Sequence, residues 1–372
     1  MNKIFSLLLV SFFTLQGFAQ KKEYNLIIGT YTNTGKSEGI YIYNFDVDNA
    51  DFKFKSVAKD ITNPSYLAVS KNNKRVYAVA EAPNNSAVAS FAFDGLKPEL
   101  SFLNKQATGS PGPCFVLADE KNVFSANYGG GSISVFGIET NGFLTPIKQL
   151  VQHTGKSIDP KKRQESAHAH QIQFSPDKKY VICTDLGEDQ VYLYNYNPEA
   201  RQEVLSVKQI VKTTPGSGPR HLTFSPNGKF AYLAHEFNGI VTAFAYQDGS
   251  LTKLQEIGTT DKDFTGRIDG ADIHISPDGK FLYETNRGDA NTISAFAIKA
   301  DGKLSFISNA STLGKGPRNF TITPNGKYLL IGHQYTNDIV IFERNKKTGT
   351  LKDTGKRIEL GAPVCLVFAP IK

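Results

Sequence analysis

The stretch PRHLTFSPNGKFAYLAHEFNGIVTAFAY, Pro219 to Tyr246, decides the fold. Leu222 and Phe224 alternate with polar neighbours ahead of the turn Ser225-Pro226-Asn227-Gly228-Lys229. Two further apolar runs, Phe230 to Ala234 and Ile240 to Tyr246, flank an Asn238-Gly239 turn. Alternation of period two bounded by Pro, Asn and Gly predicts three short antiparallel strands joined by tight turns. Such a meander alone leaves apolar surface in water and is marginal. It needs copies of itself.

The copies start at Asn63, Pro113, His168, Ala271 and Pro317. The third strand carries a central aromatic at Tyr43, Phe91, Phe136, Tyr194, Phe244, Phe296 and Phe342, with spacings of 48, 45, 58, 50, 52 and 46 residues. A period near 50 with three or four strands per unit predicts a β-propeller, in which each blade buries its faces against two neighbours. The ends complete each other. Tyr24 to Thr32 matches a second strand and Gly39 to Phe45 a third, with no first strand before them, while Ala362 to Ala369 matches a first strand with nothing after it. The expected fold is all-β, a seven-bladed β-propeller closed by a blade shared between the N- and C-termini, which removes open sheet edges.

The propeller domain is expected to occupy residues 21–372. Residues 1–20 read as a signal peptide: Lys3, the apolar run Ile4 to Phe13, then Gly17-Phe18-Ala19-Gln20. That run is short of the roughly 20 apolar residues a spanning helix needs. The mature chain is therefore expected to be periplasmic or secreted, monomeric and without a membrane span. The net charge of +7 comes from 42 basic and 35 acidic residues. No basic run or stripe accompanies it, so nucleic acid is excluded as a partner, and the surplus favours small anions. Cys114, Cys183 and Cys365 show no metal-type spacing, and an odd count argues for buried free thiols. Gly129-Gly130-Gly131 precedes no helix and reads as a turn.

Register sorts residues by their place in the blade. Five positions before the first turn lie Ser65, Cys114, His170, Arg220, Ala271, Arg318 and Val364. At the end of the second strand lie Glu81, Leu186, Glu236, Arg287 and Gln334, with Tyr128 and Tyr31 in the corresponding places. The two strands are antiparallel, so both rings fall at one mouth of the central channel. A repeat needs no such variety of charge at equivalent places, and divergence there marks a grafted site. The bland readings are a strand-end histidine, an ion pair between blades (Arg220 with Glu236, worth ~0–1 kcal/mol if exposed) and two solvated arginines. His274 and Asp272 lie within a strand and are weaker candidates than the ring. No metal or cofactor is expected, since no cluster of hard oxygen ligands shows a recognisable spacing.

The segments HAHQ with SPDKKYVICTDLG, GPRHLTFSPNGKFAYLAHE, DIHISPDGKFLYETNRG and GPRNFTITPNGKYLLIGHQ resemble the seven-bladed lactonase family. That family includes the propeller-type 6-phosphogluconolactonases and the carboxy-cis,cis-muconate lactonising enzyme. The resemblance spans nearly the whole chain after residue 20. It implies that His170, Arg220, Glu236 and Arg287 are catalytic and that a sugar-type, 6-phosphogluconolactone-like lactone carrying an anionic group is hydrolysed. His170 would act as general base, with Arg287 or Arg220 stabilising the oxyanion. Glu236 would orient the histidine or an arginine, or pass a proton to the ring oxygen. Arg318, His168 and Gln334 are placed among the substrate-binding residues, His168 as an orienting neighbour. The His170 blade carries Leu186 at its second-strand end, so no acid from that blade is expected beside the histidine. Activity is expected to rise with pH through about 6.5, the ordinary pKa of histidine. The rivals are lactonisation or isomerisation by the same residues, a non-catalytic ligand- or protein-binding propeller, and a nucleophilic Cys114.

Overall fold

The computed structural model describes residues 22–159, 162–261 and 263–371; the signal peptide expected over residues 1–20 lies outside them. Among the described residues, twenty-eight strands form seven four-stranded antiparallel sheets, one more strand per blade than the three that the sequence motif makes obvious. In the fifth blade the inner strand Pro219–Phe224 pairs with Phe230–His235, then Ile240–Gln247, then the outer strand Ser250–Gly258. The turn after Phe224 works as its residues suggest. Ser225 and Asn227 side chains bond to each other at 2.7 Å, and Gly228 takes a φ of +69°, a conformation glycine adopts without steric cost.

The first blade is the shared one. Strand Pro363–Pro370 lies innermost and pairs with Glu23–Thr30, followed by Ile40–Asp46 and Phe52–Ala58. Tyr24 faces Pro370 and Ile28 faces Leu366, so the two ends of the chain zip over most of the strand. The remaining blades span residues 67–107, 113–152, 169–212, 219–258, 268–311 and 317–359. Among the described residues no helix is long and apolar enough to cross a membrane.

Apolar residues pack between blades. Ile182, Val191 and Leu193 of the fourth blade meet Leu222, Leu233 and Phe244 of the fifth. Tyr232, Val241 and Ala243 of the fifth meet Ile273, Leu282 and Phe296 of the sixth. Around the channel, side chains tie each blade to the backbone of the next. Gln171 Oε1 accepts the Leu222 N–H at 2.5 Å, and Asn319 Oδ1 accepts that of Leu366 at 2.7 Å. These bonds satisfy inner-strand donors that would otherwise be buried without partners.

One irregularity recurs at the start of the inner strands. Pairing jumps from Ala169 to Gln171, from Pro219 to His221, from Pro317 to Asn319 and from Pro113 to Phe115. The skipped residues are His170, Arg220, Arg318 and Cys114. A β-bulge leaves one residue outside the ladder and re-aims its side chain. In these four blades the fold therefore presents one unpaired side chain at the same end of the channel.

Shared-blade closure has a measurable consequence. Truncation after Ala362 removes the innermost strand, exposes the Glu23–Thr30 edge and should yield aggregated material by light scattering. A truncated chain that stays monodisperse with an unchanged melting curve would contradict this closure.

Candidate active site

Three guanidiniums converge on one carboxylate. Glu236, just beyond strand Phe230–His235, accepts from Arg220 Nε at 3.0 Å and lies 3.1 Å from Arg287 Nη2, both through Oε2. Its Oε1 takes a 2.6 Å bond from Arg163 Nη1. The Glu236 and Arg220 side chains are each only 2% exposed. The pair thus lies within one blade and is buried, unlike the exposed interblade contact the sequence left open. Breaking a buried pair of this kind costs about 3–5 kcal/mol, because a charge is left uncompensated. Burial alone would raise the Glu236 pKa, but Arg287, Arg220 and Arg163 outweigh it and hold it down at about 2. A carboxylate so firmly ionised, with both oxygens engaged, is not a proton donor to a leaving group. Its contacts are with arginines and not with His170, which removes the histidine-orienting role.

The arginines differ in what they have left to give. Arg220 also donates through Nη1 to Ala271 O at 2.6 Å. Burial, then Arg287 and Arg318, lower its pKa to about 9, which leaves it protonated at neutral pH. Arg287 donates to the Gly270 carbonyl at 3.1 Å. It lies inside strand Phe281–Gly288 rather than after it, paired with Asp269, because the first two strands of this blade run longer than their counterparts. Arg318 is different. Its guanidinium lies 5.5 Å from the Tyr31 ring centroid, and no hydrogen bond or ion pair holds it among the described residues.

His170 stands among these charges and is buried. Its Nδ1 has no hydrogen-bond partner among the described residues, and its ring meets those of His221 at 5.2 Å and Tyr128 at 5.7 Å edge-on. Burial first, then Arg220, His221, Arg318 and Arg287, push its pKa well below the ordinary histidine value. The ring is therefore neutral throughout the physiological range, and the expected titration near 6.5 is corrected for the free protein. As the sequence suggests, no acid of its own blade reaches it. Asp185 instead binds His153 Nδ1 at 2.6 Å and the His168 N–H at 2.8 Å.

A narrow recess of about 10 Å³, the space of a single water, lies among Ser65, Cys114, His170, Arg220, His221 and Arg318. A groove of about 810 Å³ lies elsewhere, among Arg75, Asp119 and Glu139, and no ring residue lines it. Cys114 is not activated. Burial, then Glu81, raises its thiol pKa to about 12, against the thiolate that nucleophilic attack requires. Beneath the ring, Asp272 holds His221 at 2.8 Å and His274 at 2.9 Å, so these residues serve as a tie between blades.

The remaining ring residues are support or outliers. His168 stacks on the Tyr128 ring at 4.4 Å and bonds the Tyr128 carbonyl through Nδ1 at 2.8 Å. Gln334 is anchored by its backbone N–H to Gly316 O at 2.9 Å, and no hydrogen bond or ion pair among the described residues joins its side chain to the cluster. The sequence reading missed Arg163. It lies in the connection between the third and fourth blades, and the 58-residue spacing between Phe136 and Tyr194, the longest of the series, was the signal of an insertion there. In the same connection, His153 joins Asp185 and Glu188 in a group with ligand-type atoms within 4.8 Å of one another. Those atoms are already occupied: His153 by Asp185 at 2.6 Å and the Tyr194 hydroxyl at 2.7 Å, and Glu188 by the Gly155 N–H and the Tyr192 hydroxyl. The group is a hydrogen-bonded clasp rather than a vacant cation site.

A bulged ring of histidine and arginines at one mouth of a seven-bladed propeller has relatives. The family described as Lactonase, 7-bladed beta-propeller, matches residues 25–368, and the chain belongs to that family of lactone hydrolases. It is 36% identical to a protein of Bacillus subtilis (strain 168) named 6-phosphogluconolactonase, over 92% of this chain and 97% of the relative. A solved propeller from Bacteroides fragilis NCTC 9343 is 42% identical and superposes with a TM-score of 0.90, covering 94% of this chain and 98% of that one. The periplasmic gluconolactonase of Pseudomonas aeruginosa is 34% identical with a TM-score of 0.89, covering 94% and 100%.

Proposed function

We propose that this chain hydrolyses a sugar-type lactone carrying an anionic group to its aldonic acid, and that His170, Arg220, Glu236, Arg287 and Arg318 form the site. The observation that carries this reading is a neutral His170 with an unpartnered Nδ1, set beside an Arg318 guanidinium that packs on the Tyr31 ring and makes no hydrogen bond or ion pair among the described residues. A base must be unprotonated before it acts, and an oxyanion needs donors not already spent.

His170 takes a proton from water as the water oxygen bonds to the lactone carbonyl carbon. Negative charge then collects on the carbonyl oxygen, where Arg318 donates to it. The acyl C–O bond breaks as the tetrahedral adduct collapses, and the ring oxygen receives the proton back from His170. The product is one open chain bearing a hydroxyl and a carboxylic acid, and the acid then gives its proton to solvent to become the carboxylate. Arg220 and Arg287, fixed by Glu236, supply a positive field. That field keeps the free histidine neutral, and a bound anion offsets it, so His170 becomes more basic once substrate is in place. The narrowness of the recess leaves the sugar to lie over the ring at the mouth.

The relatives named for 6-phosphogluconolactone and for gluconolactone bracket the substrate: an aldonolactone, phosphorylated or free. Export to the periplasm or beyond is proposed from Lys3, the Ile4 to Phe13 run and the small residues before Lys21, and the periplasmic relative is consistent with it.

His170→Ala is expected to lower kcat by ~10²-fold or more with little change in KM, and Arg318→Ala to lower kcat through lost stabilisation of the oxyanion. In the wild type, kcat/KM should stay level between pH 6 and 8 after subtraction of spontaneous opening, since free His170 is already neutral there. Wild-type turnover by purified His170→Ala on every lactone opened would remove the histidine from the mechanism. For export, mass spectrometry of the mature N-terminus should place it near Gln20 or Lys21. An intact Met1 or Asn2 on cytosolic protein would rule export out.

A further inference from the structure

The connection that carries Arg163 is built unlike its six counterparts. It spans residues 153–168, sixteen residues, where the other connections from an outer strand to the next inner strand hold three to nine. Length alone would make a loose loop. This one is clasped at both ends by a single turn of the fourth blade, Asp185-Leu186-Gly187-Glu188-Asp189. Asp185 binds His153 at 2.6 Å, Glu188 takes the Gly155 N–H, and Asp189 takes the Ser157 hydroxyl. Gln164, fully buried, donates to Leu186 O at 2.7 Å. Gly187 lets the returning chain pass, since a Cβ there would fall 1.9 Å from the Ser166 carbonyl oxygen.

The clasp aims one side chain. Arg163 Nη1 bonds Glu236 at 2.6 Å and Nη2 bonds the Tyr128 hydroxyl at 2.8 Å. Its guanidinium lies between two aromatic rings, 5.2 Å from the Phe237 centroid and 5.7 Å from that of Tyr128. It is nevertheless open: its side chain is 42% exposed, against 2% for Arg220 and 11% for Arg287. Two of its five N–H groups are committed, and the rest remain to donate. Arg163, Arg220 and Arg287 round the single Glu236 carboxylate leave a surplus of two positive charges (three minus one). A phosphate monoester carries about −1.5 to −2 at neutral pH, which that surplus matches better than a single carboxylate does.

We infer that Arg163 is a specificity residue, which binds a phosphate group on the substrate at the rim of the mouth while Arg318 and His170 serve the lactone carbonyl within. The inference rests on the proposed lactone-opening reading for the position of the carbonyl, but not for the phosphate contact. An arginine framed by aromatic rings and a clasped loop loses little entropy on gripping a phosphate with its fork, and a lysine at the same place offers only a point charge.

The test compares 6-phosphogluconolactone with gluconolactone, and their products 6-phosphogluconate and gluconate by calorimetry, on wild type, Arg163→Gln and Arg163→Lys. Loss of a charged hydrogen bond predicts that Arg163→Gln lowers the phosphorylated-over-free ratio of kcat/KM, and of product affinity, by about 10- to 100-fold. The loss should fall mainly in KM, with Arg163→Lys between the two. If Arg163 only braced Glu236, both substrates would suffer alike and the ratio would hold; that result overturns the inference. So does a wild type with no preference for the phosphorylated ligand. A wild type that opens neither lactone, yet binds 6-phosphogluconate through Arg163, would remove the hydrolase reading and leave the phosphate site standing.

Discussion

The mouth of this propeller depends on the Glu236 carboxylate. Arg220 comes from its own blade, Arg287 from the next, and Arg163 from the connection between the third and fourth blades. Three guanidiniums brought this close repel one another and lose their water, and only an ionised acid between them makes the arrangement tolerable. The same carboxylate decides which arginines are free. Arg220 and Arg287 are spent on it and on carbonyls, while Arg318, which it does not bond, keeps its donors for the recess, and Arg163 keeps part of its fork free at the rim. The field of the cluster then acts at a distance on His170, keeping the imidazole neutral where an isolated histidine would titrate.

How a repeat protein makes a site from equivalent positions follows from the bulges. Within the ladder, side chains are fixed by the demands of packing between blades, and those positions hold Val, Leu, Ile, Ala, Phe and Tyr. At the bulge the residue escapes the ladder, its side chain turns to the channel, and blade packing no longer constrains its identity. Cys114, His170, Arg220 and Arg318 occupy that one slot in different blades. The blade ties just below, through Gln171, Asp272 and Asn319, hold the slots at fixed separations.

The strands, their number of repeats and the shared blade were legible because period-two apolar patterning and Asn-Gly turns are local. The ring of His170, Arg220, Glu236, Arg287 and Arg318 was legible because a repeat makes equivalent positions comparable within one sequence. The bulges were not, since they arise from pairing with a neighbour strand and leave the residue pattern unaltered. Nor was the pKa of His170, which is set by charges from other blades. Arg163 escaped because it lies in a connection outside the repeat, where register has no meaning; only the 58-residue spacing hinted that extra chain was present there. Gln334 shows the opposite failure. It shares the register of Glu236, yet register places a backbone and does not guarantee that the side chain joins its equivalents.

The hub role of Glu236 is tested most directly by urea unfolding of wild type and Glu236→Gln across pH. Glu236 is held at about 2 against an ordinary 4.5, so its stabilisation is present above pH 4.5 and is lost as pH falls toward 2. A shift of that size corresponds to about 3 kcal/mol, in line with the cost of breaking a buried ion pair. The account predicts that the variant is less stable by about that much at pH 7, with the gap closing between pH 4.5 and 2. A variant within about 0.5 kcal/mol of wild type at pH 7, as at an ordinary surface position, or a gap that ignores pH, would contradict it.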